Sequence, residues 1–169
     1  MTETITAPGT GFFGLGISPK LLEALDKLKF KIPTPIQQKA IPVAAAGTDM
    51  VGTAQTGTGK TIAFAIPMIQ RLAAVEGKGL VLVPTRELAL QVAEVIKQFA
   101  PLLGMGSVVI IGGESAGRQL TELRRKPRII IATPGRLIDH LNQRNVNLAD
   151  VRVLVLDEAD RMFDMGFAP

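Results

Sequence analysis

The run Ala54-Gln55-Thr56-Gly57-Thr58-Gly59-Lys60-Thr61 constrains this chain more than any other stretch. It is a glycine-rich turn ending in Gly-Lys-Thr, set between the apolar pair Met50-Val51 and a helical pattern from Thr61 to Leu72. That is the strand, loop and helix context of a phosphate-binding loop. Small residues let consecutive backbone N–H groups curl into a concave nest, and the next helix aims the positive end of its dipole at the same spot. Gln55, Thr56, Gly57, Thr58 and Gly59 are therefore expected to line a triphosphate. Lys60 adds a mobile positive charge, and the Thr61 hydroxyl can ligate magnesium. Where the pattern has its first glycine this chain has Ala54, whose methyl fits if φ is negative.

A second phrase, Asp157-Glu158-Ala159-Asp160, follows the apolar run Val151-Arg152-Val153-Leu154-Val155-Leu156. Such a run is expected of a buried strand in a sheet covered on both faces. Carboxylates at its carboxyl end point into the active-site crevice. In phosphate-loop enzymes an acid there holds the metal through water, and its neighbour can orient the attacking water. Asp157 and Glu158 are the candidates, and with Lys60 they form the expected catalytic set.

The 169 residues read as one domain, and a 47% hydrophobic composition supports a real core. No apolar run approaches the ~18 residues that span a bilayer, and residues 1 to 11 are too polar for a signal peptide. A cytoplasmic protein with a flexible tail over 1–11 is expected. The absence of cysteine excludes disulfides, thiolate catalysis and cysteine zinc sites. His140 is the single histidine and is expected on the surface of a helix from Arg136 to Leu141. A net charge of +4 favours a polyanionic partner. With no Tyr or Trp, contact with single strands is expected through phosphate and sugar rather than base stacking.

Along the chain, Ser18-Pro19 opens a first helix with Leu21, Leu22, Leu25 and Leu28 on one face. Thr34-Pro35 opens a second over Ile36 to Ala40, and Pro42 is expected to start a separate short turn ending at Gly47. Five strands are then expected, at Met50 to Thr53, Leu80 to Val83, Val108 to Ile111, Ile129 to Ala132 and Val153 to Leu156. Helices at Thr61 to Leu72, Glu87 to Phe99, Ala116 to Arg125 and Gly135 to Asn142 separate them. Short β-branched strands alternating with helices imply an α/β fold with a mostly parallel sheet between two helical layers. Ligands in such folds bind at the carboxyl ends of the strands.

That rim carries Pro84-Thr85-Arg86-Glu87-Leu88-Ala89, Gly112-Gly113 and Thr133-Pro134-Gly135-Arg136 as well. With Pro33-Thr34-Pro35-Ile36-Gln37 upstream, the ordered set resembles the DEAD-box RNA helicases, over nearly all of the chain from Phe12 onward. The match is to the first of that family's two RecA-like domains, here residues 12–169 with a Q motif at 30–37. The resemblance implies that Gln37 reads adenine, making ATP with Mg2+ the cofactor, and that Phe30 stacks on the base. Phe12 matches the isolated upstream aromatic, and Lys29 replaces the glycine usual before the stacking ring. Asp160 matches the residue coupling this site to the family's Ser-Ala-Thr motif. Thr85, Arg86, Gly113, Thr133 and Arg136 match positions that grip RNA. Arginine forks, hydroxyls and glycine amides suit phosphate and 2′-OH groups and carry no base information, so sequence-independent, salt-sensitive binding is implied. Thr133 and Arg86 also sit where helices begin, as caps do.

Other phrases carry less. Arg124-Arg125-Lys126-Pro127-Arg128 closes a helix, where cations complement the dipole, and the Met and Phe of Arg161 to Phe167 are expected in the core. The resemblance further implies a sheet lacking a central strand, since the family's Ser-Ala-Thr strand and second domain lie past Pro169. Unpaired inner edges would then favour self-association. Such a fragment is expected to bind nucleotide weakly and hydrolyse little. A DNA-directed motor and a non-catalytic nucleotide- or partner-binding module are the alternatives. A small-molecule kinase is disfavoured, because nothing resembles an acceptor lid.

Overall fold

The computed structural model describes residues 11–167, so the expectation for the N-terminal tail lies almost wholly outside the described residues. Two compact units divide the chain, Met1–Arg71 and Leu72–Pro169.

In the first unit, α1 (Pro19–Lys27) starts with Ser18 as N-cap and a proline in its first turn, and it buries Leu21, Ala24 and Leu25. It stops because Lys29 turns left-handed at φ 65°, which lets Phe30 N–H donate to Leu25 O at 2.9 Å. That αL closure normally falls to glycine. Gln70 ties the entering chain down: its Oε1 accepts from Ser18 N–H at 2.7 Å and its Nε2 donates to Gly16 O at 2.6 Å.

Helix α2 (Pro35–Ala45) runs straight through Pro42, so the separate short helix expected after that proline does not exist. A proline removes one backbone donor, and the flanking turns of α2 carry the helix across the gap. The expected strand at Met50 to Thr53 is also absent. A strand is defined by its ladder, and this segment has no strand partner among the described residues; Val51 is 96% exposed. Helix α3 (Lys60–Ala74) begins at the end of the glycine-rich loop.

The second unit takes up the last turn of α3 and then alternates strand and helix: β1 (Lys78–Leu82), α4 (Arg86–Phe99), β2 (Ser107–Ile110), α5 (Ala116–Arg124), β3 (Ile129–Ala132), α6 (Pro134–Asn142), β4 (Val151–Leu156) and α7 (Ala159–Asp164). The four strands are parallel in the order β2-β3-β1-β4. Val81 is level with Ile131 on one side and Val155 on the other. On one face Leu80, Val108, Ile110, Ile130 and Ala132 form a core with Leu137 of α6, joined by Leu123 of α5 and Leu141 of α6. Helix α4 packs on β2 and β3. Each fully buried isoleucine of β3 stabilises the unit by about 2 kcal/mol.

Strand β4 differs from the expected buried strand. It is an edge strand whose residues alternate between partly and largely exposed, with Leu154 at 56%. Covering both faces needs a neighbour on each side, and β4 has one among the described residues. Arg128, part of the basic run, holds the turn into β1: Nε donates to Gly77 O at 2.9 Å and Nη2 to Val75 O at 2.7 Å. That guanidinium is structural.

Candidate functional site

Parallel strands put their carboxyl ends on one rim, so the polar phrases after β1, β2, β3 and β4 emerge together. Backbone bonds fix them. Val83 N–H donates to Ala132 O at 3.0 Å, Thr133 N–H to Ile110 O at 3.1 Å, and Asp157 N–H to Leu82 O at 3.0 Å. Thr85 caps α4, its hydroxyl accepting from Leu88 N–H at 3.3 Å, and Arg86 is the first residue of that helix. Thr133 is the N-cap of α6 but makes no side-chain cap bond.

Gly113 is left-handed at φ 73°, and a Cβ built on it would collide with Nη1 of Arg86. Arg86 therefore lies over the glycine turn as closely as the missing side chain allows. Arg136 reaches the next residue, donating through Nη1 to Glu114 O at 3.2 Å. Two guanidinium groups thus meet one turn, Arg86 at Gly113 and Arg136 at the carbonyl of Glu114. Of the expected backbone-gripping residues, Arg86, Gly113 and Arg136 are thus gathered at one turn; Arg136 Nε also lies 3.8 Å from Asp139 Oδ2, and no described ion pair involves Arg86.

Asp157 is buried, while Glu158 takes the left-handed conformation at φ 52° and ψ 48° as N-cap of α7. A non-glycine residue held there is uncommon and costs roughly 1 kcal/mol. The conformation turns the chain sharply from β4 into α7. Glu158 Oε2 pairs with Arg161 Nη1 at 3.4 Å, and Asp160 accepts from Arg161 N–H at 2.9 Å. Of the run after Asp160 only Met162 is core. Phe163, Met165 and Phe167 are exposed, contrary to the expectation, because a helix as short as α7 turns just one residue inward.

The phosphate-loop residues belong to the first unit. Gly57 and Gly59 are left-handed at φ 79° and 82°, whereas Ala54 is not, so its methyl is accommodated as expected. Thr58 donates from Oγ1 to Gln55 O at 2.6 Å, folding the loop on itself. Gly59 O accepts from Ala63 N–H at 3.2 Å, which starts α3 and sets Lys60 and Thr61 in its first turn.

Gln37 is only 3% exposed and both ends of its amide are engaged. Oε1 accepts from Thr34 N–H at 2.9 Å, and Nε2 donates to Gly59 O at 3.1 Å. Side chain 37 thus joins the start of α2 to the last glycine of the loop, where any Cβ would strike it. Phe12 is buried, whereas Phe30 and Phe13 are exposed.

One functional expectation fails outright. His140 is not on the surface but 1% exposed, with Nε2 3.0 Å from Gln119 Oε1 and Nδ1 3.1 Å from Asn145 Nδ2. The signal was its spacing: with Leu137 and Leu141 it shares the apolar stripe of α6. Burial first, and then the positive charge of Arg136, lower its pKa below the ordinary histidine value, opposed by Asp139. Gln119, buried on α5, had no counterpart in the motif reading.

A parallel sheet with this rim defines a RecA-like helicase core. The DEAD/DEAH box helicase family model matches residues 34–169, and the chain belongs to that family. It is 46% identical over 168 residues to the ATP-dependent rRNA helicase RRP3 of Gibberella zeae, covering 98% of this chain and 35% of that protein. Among solved structures, the RNA helicase Prp28 of Chaetomium thermophilum bound to ADP superposes with a TM-score of 0.87 at 38% identity, over 98% of this chain and 42% of that one. A hypothetical ATP-dependent RNA helicase from Sulfolobus tokodaii gives 0.83 at 37% identity, over 89% and 44%. The chain spans about a third of the curated relative and less than half of either solved chain.

Proposed function

We propose that this chain is the ATP- and RNA-binding first domain of an ATP-dependent RNA helicase that separates short duplexes when joined to a second RecA-like domain. The observation that carries the reading is the glycine turn after β2, which Arg86 approaches at Gly113 and Arg136 holds at the carbonyl of Glu114. Two forked guanidinium groups at one backbone turn suit a phosphodiester backbone of any sequence.

The donor set of the loop fits a nucleotide: left-handed glycines, a helix N-terminus, and Lys60 with Thr61 in the first turn. Gln55 to Gly59 and Lys60 would cradle the phosphates, Gln37 and Phe30 would meet the base, and Phe12 would back them. Thr61 and Asp157 would hold Mg2+, which neutralises charge on the phosphates when bound. Among the described residues no three His, Cys, Asp or Glu side chains gather, which fits an ion shared with the nucleotide rather than one caged by the protein alone.

Glu158 would orient and deprotonate the attacking water, and Asp160 would pass the state of the site onward. The second domain would supply arginines worth ~10³ or more in rate, so this chain alone should turn over little ATP. A cytoplasmic setting belongs to the same reading.

ATP turnover with and without RNA, on a version extended through the second domain, tests this. Lys60→Ala and Glu158→Gln should abolish RNA-stimulated hydrolysis, the first with loss of nucleotide binding and the second without it. Equal stimulation by DNA would favour the DNA-directed motor, and nucleotide binding with no stimulated turnover would favour a non-catalytic module.

A further inference from the structure

We propose that the buried side chains Gln119 and His140, with the half-buried Asn145, are positioning residues that hold the Gly112–Gly113 turn in register with Arg136 for an RNA backbone. The inference rests on the RNA-rim reading above and extends it to residues that make no RNA contact themselves.

The three side chains form a directional chain of hydrogen bonds. Gln119 donates from Nε2 to Ile111 O at 2.7 Å, the last carbonyl before the glycine turn. Its Oε1 must then accept, so His140 carries its proton on Nε2 across the 3.0 Å contact. That leaves Nδ1 as an acceptor, and Asn145 donates to it at 3.1 Å while giving its other proton to Gln143 Oε1 at 3.1 Å. Asn145 N–H in turn donates to His140 O at 2.9 Å. Every polar atom in the run from Ile111 O to Asn145 Nδ2 is satisfied by one arrangement.

Burying an amide and an imidazole is costly unless each bond is made, and an apolar pair would serve packing alone just as well. Leu123, Leu137 and Leu141 already do that between α5, α6 and the sheet. What the polar chain adds is direction: it pins a particular carbonyl, that of Ile111, to a particular helix, α6.

The same helix reaches the turn a second time. Arg136, one turn before His140, donates to Glu114 O at 3.2 Å. Helix α6 therefore grips both carbonyls that bracket Gly112 and Gly113, from the surface through Arg136 and from the interior through His140 and Gln119. A phosphate that engages the Arg136 guanidinium competes with the outer grip. The inner one keeps the turn in place while the arginine is shared.

The test measures binding of fluorescein-labelled decauridylate to the 169-residue chain by anisotropy across a salt series, with thermal melts on each variant. His140→Leu breaks the chain and should weaken binding about fivefold, the scale of remote positioning effects. It should leave the salt dependence unchanged, since no phosphate contact is lost. His140→Gln restores an amide donor toward Gln119 and should return affinity to within about twofold of the parent. Arg136→Ala removes a phosphate contact and should reduce the salt slope by about one.

If His140→Leu does not fold, Asn145→Ala, which removes only the outer donor from a partly exposed position, takes its place with the same expected direction. Leu and Gln variants that bind alike, or an Asn145→Ala chain that binds like the parent, while Arg136→Ala is weakened, overturn the positioning inference and leave the RNA rim standing. An Arg136→Ala variant with unchanged binding and salt slope overturns the RNA-rim reading and this inference with it.

Discussion

Adding one methyl group at Gly113, and the same group at its neighbour Gly112, separates backbone strain from site geometry. At Gly113 φ is 73° and the new Cβ would run into Nη1 of Arg86; at Gly112 φ is not positive and nothing lies within 4 Å of the new atom. Left-handed backbone costs a non-glycine residue about 1–2 kcal/mol. The collision adds little to stability, because the struck atom ends a flexible side chain that can swing away. For a chain of this size the strain corresponds to a fall in melting temperature of roughly 3–6 °C.

Moving Arg86, however, withdraws a charged donor from the rim. A charge-assisted contact is worth about 1.5–3 kcal/mol, or at least tenfold in affinity. Gly113→Ala should therefore lose a few degrees in a thermal melt and about tenfold or more in RNA binding by anisotropy, and Gly112→Ala should change neither. Adding Arg86→Ala to Gly113→Ala should cost little further RNA affinity, because the guanidinium is already displaced. Equal effects from the two single alanines, or full additivity with Arg86→Ala, would refute the reasoning.

Two smaller tests address stability. Lys29→Gly relieves the left-handed backbone that closes α1 and should raise stability by about 0.5–1 kcal/mol in urea melts, the strain relief exceeding glycine's added chain entropy. The folded pKa of His140 lies below its unfolded value, so the unfolded chain binds a proton more readily. Its contribution is intact above about pH 6.5, declines as pH falls below that, and levels off beneath the folded pKa. Melts across that window should show the slope in the parent and its loss in His140→Gln.

Most of the second unit was legible because its signals are local. Four apolar runs, each ended by a polar phrase and a capping residue, placed β1 to β4 and α4 to α6 within a few residues of where they lie. The strands are parallel as expected, so the phrases that follow β1 to β4 leave from one rim. What misled was anything decided by neighbours. Met50 to Thr53 has strand composition but no ladder among the described residues, and Val151 to Leu156 reads as doubly covered yet sits at the edge of the described sheet. Pro42 looked like a helix start because a proline's local preference is blind to the stabilised turns on either side. His140 differs for another reason: a lone histidine suggests no chemistry, and its partners, the buried Gln119 and the half-buried Asn145, carry no motif. The spacing from Leu137 held the answer.

The double engagement of Gln37 changes how defects at that position should be read. Its amide is a structural strut between the start of α2 and Gly59 before any base arrives. Gln37→Glu would keep an acceptor for Thr34 N–H but turn a carboxylate on the carbonyl of Gly59, disturbing the loop from which Lys60 springs. A variant of this kind that fails to take up nucleotide is therefore no measure of base discrimination. The comparison that isolates recognition is one of ligands, adenine against guanine nucleotides on the unaltered chain.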